Sequence, residues 1–390
     1  MQEYWIEGIV NAHNQLANQR IVVDRGLIRA IEPCKRGDAA GPAYRWAVPG
    51  FIDMHTHGGA NHDVLDNSLE TFAALAAHHV SHGTTSFLAS VGATSLEVLE
   101  RICATARAFM RNQASAQAGR ARLLGLHLEG PWLSTKNAGA QNRELIVEPD
   151  EESFEFVRKN ADVIRVVTFS YHSAAAQKLL ALLIECGIVP ACGHDEATDC
   201  DILEGFTRGI RLITHIYSNT ASFQRVNGLK HLGTLEMALM TDGIAVEVIA
   251  DGRHITKHFW DFITHNKSVD DIIIVSDSIR CAGLTTDSSH CYESGGQQII
   301  VDQGVAWLPD RSTFAGSVAT VHSNFRRMVR SWQVNLQDAA RMTSHNAACQ
   351  LCISDTAGSI LPGKQADIVF LNDDLAIVAV LASGIASGPD

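Results

Sequence analysis

The chain has 390 residues, 46% of them hydrophobic and 19% charged, which provides for a large buried core and excludes a disordered chain. Its net charge of −12, without a basic cluster carrying interleaved aromatics, excludes nucleic acid as an expected partner. No 18-residue apolar run occurs and Met1-Gln-Glu-Tyr-Trp is not a leader, so no membrane partner and a cytoplasmic location are expected.

The first 45 residues hold short β-type runs, Ile21-Val-Val-Asp and Leu27-Ile-Arg-Ala-Ile, punctuated by Gly26 and Gly37. From residue 49 the rhythm changes. Strand-length apolar runs at 51–57, 85–90, 123–129, 163–171, 189–194, 212–217, 244–250 and 272–277 alternate with stretches of helical periodicity, such as 69–82 and 96–113. Eight β-then-α units in succession predict a (β/α)₈ TIM barrel over residues 49–354. The tail returns to β character through Ala366-Asp-Ile-Val-Phe-Leu and Ala376-Ile-Val-Ala-Val-Leu. Residues 1–48 and 355–390 are therefore expected to build one small β-sandwich domain from both termini. Nine irregularly spaced cysteines indicate free thiols in a reducing compartment, and Cys349 and Cys352, although a C-x-x-C pair, are expected to be packing residues.

Residue types that bind metals collect at the predicted strand ends. The first strand ends in Asp53-Met-His55-Thr-His57, the third in His127-Leu-Glu129, the fifth in Gly193-His194, the sixth in Thr214-His215 and the eighth in Ser276-Asp277. The C-terminal rim of a barrel is where such side chains share one mouth. His55 and His57, two apart on a strand, face the same side and can reach one ion. Most of the other histidines, His127 among them, are expected to be structural. A buried carboxylate among imidazoles is costly unless a cation compensates it, which singles out Glu129, His194, His215 and Asp277.

Pro49-Gly-Phe-Ile-Asp-Met-His-Thr-His-Gly-Gly, His127-Leu-Glu-Gly-Pro-Trp-Leu, Gly193-His194, Thr214-His215-Ile-Tyr, Ala250-Asp-Gly-Arg-His254, Ser276-Asp277, Phe314-Ala-Gly-Ser and Pro362-Gly-Lys-Gln-Ala-Asp-Ile-Val together resemble the N-acetylglucosamine-6-phosphate deacetylases of the amidohydrolase superfamily. The resemblance runs in order over nearly the whole chain. It implies Glu129, His194 and His215 as ligands of a divalent metal, foremost zinc, with iron, manganese or cobalt as alternatives. It also implies Asp277 as acid and base, and a second ion at His55 and His57 where those are present. Substrate contacts follow at His254, Ala140, Ser218, Asn219, Phe314, Ala315 and Gly316, with Arg225 at the place of a phosphate-binding arginine. Members are homodimers in which the second subunit lends part of the phosphate site.

Three pieces depart from the family pattern. Asn-Ala-Met becomes Ser218-Asn219-Thr220, Arg-Glu-Pro-Gly becomes Arg225-Val-Asn-Gly228, and Gly-Ala/Thr-His becomes Gly139-Ala140-Gln141. All lie on the sugar-phosphate side, whereas the metal motifs are intact. The expected reaction is deacetylation of N-acetylglucosamine-6-phosphate. N-acetylgalactosamine-6-phosphate or another N-acyl substrate on the same scaffold stands as the alternative. A deaminase or cyclic amidase fits less well because no lysine ends a strand, and a non-catalytic scaffold would be expected to have lost ligands.

Overall fold

The computed structural model describes residues 1–38, 40–113, 119–284 and 291–387. Eight parallel strands lie in chain order: Phe51–Thr56, Thr84–Val91, Arg122–Glu129, Ile164–Phe169, Val189–Cys192, Leu212–Ile213, Ala245–Ile249 and Ile272–Val275. The ring closes between the first and last of them. Asp277 donates its N–H to the His55 carbonyl at 2.9 Å, and Thr56 bridges Ser278 in parallel register. Strands covered on both faces read as near-continuous apolar runs, and Phe51–Thr56 and Thr84–Val91 are buried throughout. Leu88, Val166, Ala191, Leu212, Ile273 and Val275 form one cluster that fills the barrel, so the polar strand ends stand on a packed floor.

The outer helices follow from local signals. In Ala174–Glu185, Ser173 caps the N-terminus by accepting the Ala176 N–H, and Gly187 leaves the helix at φ 69°. The helix buries Leu179, Leu180 and Leu183 against the sheet, each leucine contributing about 1.5–3 kcal/mol. Leu179→Ala would cost about 2–5 kcal/mol.

Strands from both ends of the chain form a separate seven-stranded sheet, ordered Ile385–Ser387, Ile377–Ala382, Ile368–Leu371, Ala43–Pro49, Gln2–Val10, Gln15–Asp24 and Leu27–Pro33. Ile6, Ile9, Ile21, Ile28, Ile368 and Phe370 make its core. The buried Asn11 side chain exchanges hydrogen bonds with the Ile360 backbone at 3.1 and 2.7 Å, which ties the two termini together.

Two features differ from the expected run of β-then-α units. Between the eighth strand and the helix Val321–Arg330 lies a four-stranded antiparallel sheet, Cys291–Ser294, Gln297–Asp302, Val305–Trp307 and Phe314–Ser317. Its turns, Gly295-Gly296 and Gln303-Gly304, pair two positive-φ residues, as two-residue hairpins require. The sixth strand stops at Ile213 rather than 217 because His215 and Tyr217 turn the chain at φ 22° and 74°. Cys349 and Cys352 are not packing residues: both are exposed, and all nine cysteines are free thiols. No helix of the described residues is long and apolar enough to cross a membrane.

Candidate metal centre

The C-terminal ends of the third, fifth and sixth strands bring Glu129, His194 and His215 to one point. Glu129 Oε1 lies 3.0 Å from His194 Nε2 and 2.7 Å from His215 Nε2, and the two nitrogens are 3.2 Å apart. Ligand atoms around a tetrahedral zinc at ordinary bond lengths are about 3.3 Å apart. The donor set and its spacing therefore fit a divalent ion. His194 Nδ1 is 2.9 Å from the Asn137 carbonyl, which leaves Nε2 as the lone-pair donor toward that point.

His55 and His57 face the same point from the first strand, with their Nε2 atoms 3.1 Å apart and His57 Nε2 3.3 Å from Glu129 Oε2. Burial drives the His55 ring down to about 3, so it stays neutral. Burial also opposes charge on His57 and His215, but Glu129 and Asp277 override it and raise each to about 9. The field that draws protons onto these rings is one that would draw a cation.

Asp277 sits just past the eighth strand, with Oδ1 3.5 Å from His57 Nε2 and 3.6 Å from His55 Nε2. Its main chain is clamped on both sides: its N–H reaches His55, and its carbonyl accepts the Ser317 N–H at 2.8 Å. His194, His215 and Asp277 hold φ of 45°, 22° and 47°, left-handed conformations costing of order 1 kcal/mol each. Such strain at three converging residues is characteristic of a functional site.

A model of the amidohydrolase family matches residues 46–386. A Bacillus subtilis N-acetylglucosamine-6-phosphate deacetylase is 31% identical over 383 residues, covering 96% of this chain and 94% of the relative. This chain belongs to the amidohydrolase family. An N-acetylgalactosamine-6-phosphate deacetylase from Escherichia coli O157:H7 is 27% identical, with 95% and 94% of the two chains covered. Among solved structures, a Mycobacterium smegmatis N-acetyl-D-glucosamine-6-phosphate deacetylase in complex with N-acetyl-D-glucosamine-6-phosphate superposes with a TM-score of 0.89 at 26% identity, covering 99% of this chain and 98% of that one. The protein is a hydrolase of amide C–N bonds.

In this amidohydrolase the Glu129–His194–His215 group, which could hold a metal ion, opens into a cavity of about 270 Å³. Its lining includes Asp277, His254, Ala140, Ser218, Asn219 and the strip Phe314-Ala315-Gly316. His254 is held from behind: Nδ1 is 2.7 Å from Asp251 Oδ2, and the other Asp251 oxygen accepts the N–H groups of Arg253 and His254 at 2.8 Å. The Phe314 ring lies 4.8 Å from the His254 ring. Asn219 packs so closely on Gly139 that a Cβ there would come within 2.3 Å of its amide, and Gly139 has φ 58°. Arg225 is elsewhere. It stands exposed on the hairpin Gln224–Val226 and Leu229–His231, outside the cavity lining.

His127 is a core residue, with Nε2 2.7 Å from Thr168 Oγ1 and Nδ1 3.2 Å from the Met54 carbonyl. Three residues stand at the site in roles that the sequence did not assign them. Glu247, buried on the seventh strand, places Oε2 3.0 Å from His55 Nδ1 and accepts the His215 N–H at 3.3 Å. Its signal was a lone carboxylate inside Ala245-Val-Glu-Val-Ile. Gln141 donates to Glu129, and Gln297, from the inserted sheet, donates to the Ala140 carbonyl. Gln141 was noticed in the sequence only as part of the departing piece Gly139-Ala140-Gln141 on the sugar-phosphate side; the structure turns it instead onto Glu129.

Proposed function

We propose that this amidohydrolase removes the acetyl group of N-acetylglucosamine-6-phosphate, giving glucosamine-6-phosphate and acetate. The observation that carries the reading is the convergence of Glu129, His194 and His215 beside Asp277 at the floor of one cavity. The names of the relatives supply the substrate class. A divalent ion held by those three residues, zinc being the best match to a carboxylate and two imidazoles, would supply Lewis acidity for an unreactive amide and for water.

The remaining steps belong to the chain's own side chains. Asp277 takes a proton from the attacking water and returns it to the departing nitrogen. His254, its Nδ1 fixed by Asp251, presents Nε2 to a sugar hydroxyl or to the developing oxyanion. Ala140, Ser218, Asn219 and the Phe314-Ala315-Gly316 strip form the walls that orient the sugar.

No lysine or arginine lies among the described residues that line the cavity. A phosphate there calls for a cation from outside, and Arg225, exposed on its hairpin, would supply it to a second copy of the chain in a homodimer. Free thiols throughout suit a cytoplasmic enzyme. The same absence of cations in the lining favours a second reading, in which the substrate is an N-acetyl amino sugar without phosphate. Acetate release measured over N-acetylglucosamine and N-acetylgalactosamine, each with and without the 6-phosphate, separates the readings. Equal turnover of N-acetylglucosamine and its 6-phosphate would refute the phosphate-specific one.

A further inference from the structure

Gln141 reaches the metal-binding group from the loop after the third strand, and its orientation is fixed by chemistry. The Ala93 backbone N–H can only donate, so the Gln141 atom 2.8 Å from it is Oε1. The Glu129 carboxylate can only accept, so the atom 2.6 Å from its Oε2 is Nε2. Gly92 makes the room, because a Cβ there would come within 2.8 Å of Gln141 Oε1. The loop itself is pinned by the Gln141 N–H on the Ala138 carbonyl at 3.0 Å and by Gln297 on the Ala140 carbonyl.

This bond divides the carboxylate unequally. Glu129 Oε1 faces His194 and His215 at 3.0 and 2.7 Å. Glu129 Oε2 faces His57 at 3.3 Å but also carries the short Gln141 bond. An N–H group cannot ligate a cation. It occupies a lone pair of Oε2 and turns the carboxylate so that Oε1 is presented to the His194–His215 pair.

We propose that Gln141 is a positioning residue for Glu129 that makes two metal positions unequal, a tight one at Glu129–His194–His215 and a weaker one on the His55–His57 side. The proposal rests on the metal-dependent reading above. Outer hydrogen-bond partners of metal ligands commonly change affinity by about 10- to 100-fold. Loss of Gln141 acts on both positions in opposite senses: Oε1 is no longer aimed at the tight site, and Oε2 is freed for the weak one.

The test is stepwise metal binding by the full-length protein. Chelator-stripped wild type, Gln141→Leu and Gln141→His are titrated with cobalt(II), followed by its visible absorption and by competition with a chromophoric chelator. Wild type is expected to bind two ions with dissociation constants separated by at least about 10-fold. Gln141→Leu, which lacks a donor, should narrow that ratio by about 10-fold or more, whereas Gln141→His keeps an N–H and should hold it near wild type. Melting temperatures of the stripped proteins establish that each variant is folded before its ratio is read. An unchanged ratio in Gln141→Leu, two equal sites in wild type, or equal effects of leucine and histidine would overturn the proposal. If the wild-type protein took up no metal at all, the metal-dependent reading itself would fall, and this proposal with it.

Discussion

Replacing Asp277 by asparagine separates chemistry from architecture at one atom. The left-handed φ of 47° suits asparagine, where alanine would add backbone strain. The two main-chain hydrogen bonds, to His55 and from Ser317, do not involve the side chain. The carboxylate's nearest histidine contacts, 3.5 and 3.6 Å, are longer than hydrogen bonds. With a metal ion neutralising the imidazole cluster, stability of the loaded protein should therefore stay within about 1 kcal/mol of wild type. The metal-free protein loses part of the charge that holds His57 and His215 protonated. The lost function is proton transfer, and a general acid–base group is worth about 10²–10⁴ in rate, or about 3–5 kcal/mol of barrier. Asp277 serves at both the attack and the departure of the amine, so the fall in kcat belongs in the upper part of that range. The assay is continuous detection of released acetate at saturating substrate, with metal content and thermal melting measured on the same preparation. Asp277→Asn with wild-type metal content, an unchanged melting point and more than about a tenth of wild-type kcat would refute the reasoning.

Arg225→Ala should lower kcat/KM on N-acetylglucosamine-6-phosphate roughly 10- to 150-fold, the equivalent of one charged hydrogen bond, and scarcely affect the unphosphorylated sugar; equal losses on both would contradict a phosphate contact. Changing His55 and His57 together to alanine should remove the weaker metal equivalent while the Glu129 position persists, as elemental analysis of dialysed protein would show. The half-buried His322 ring, pushed down to about 4 by desolvation, lies 2.8 Å from the Leu375 carbonyl and is neutral when folded. Its folded pKa lies below the unfolded value of about 6.5, so its contribution is complete above pH 6.5 and is lost as the pH falls toward 4. His322→Gln keeps a donor but takes up no proton, and should flatten the decline of melting temperature across that window; an identical decline would count against the assignment.

Much of this molecule was legible in its residues, and the limits have physical causes. Parallel barrel strands announce themselves as short apolar runs, and all eight lie where the runs at 51–57 through 272–277 placed them. The convergence of Glu129, His194 and His215 was legible because imidazoles and carboxylates at strand ends are expensive without a partner. The inserted sheet was missed because its short strands, such as Gln297–Asp302, sit where a helix was due and carry only a weak alternation. Glu247 was missed, and Gln141 assigned to the sugar-phosphate side, for a different reason. Each acts through another side chain: Glu247 meets His55 across 192 positions of sequence, and Gln141, only 12 positions from Glu129, is brought back onto it by the fold of the loop after the third strand. Arg225 shows the converse: its motif position was readable, but the structure puts it on an exposed hairpin outside the cavity lining.

The most direct test of the account is acetate release from N-acetylglucosamine-6-phosphate by protein stripped of metal and then titrated with zinc. Turnover should vanish in the stripped protein and return in proportion to the first equivalent bound, and Glu129→Gln should fail to recover it at the same zinc concentration. Demonstrably metal-free protein turning over at the wild-type rate would contradict the account.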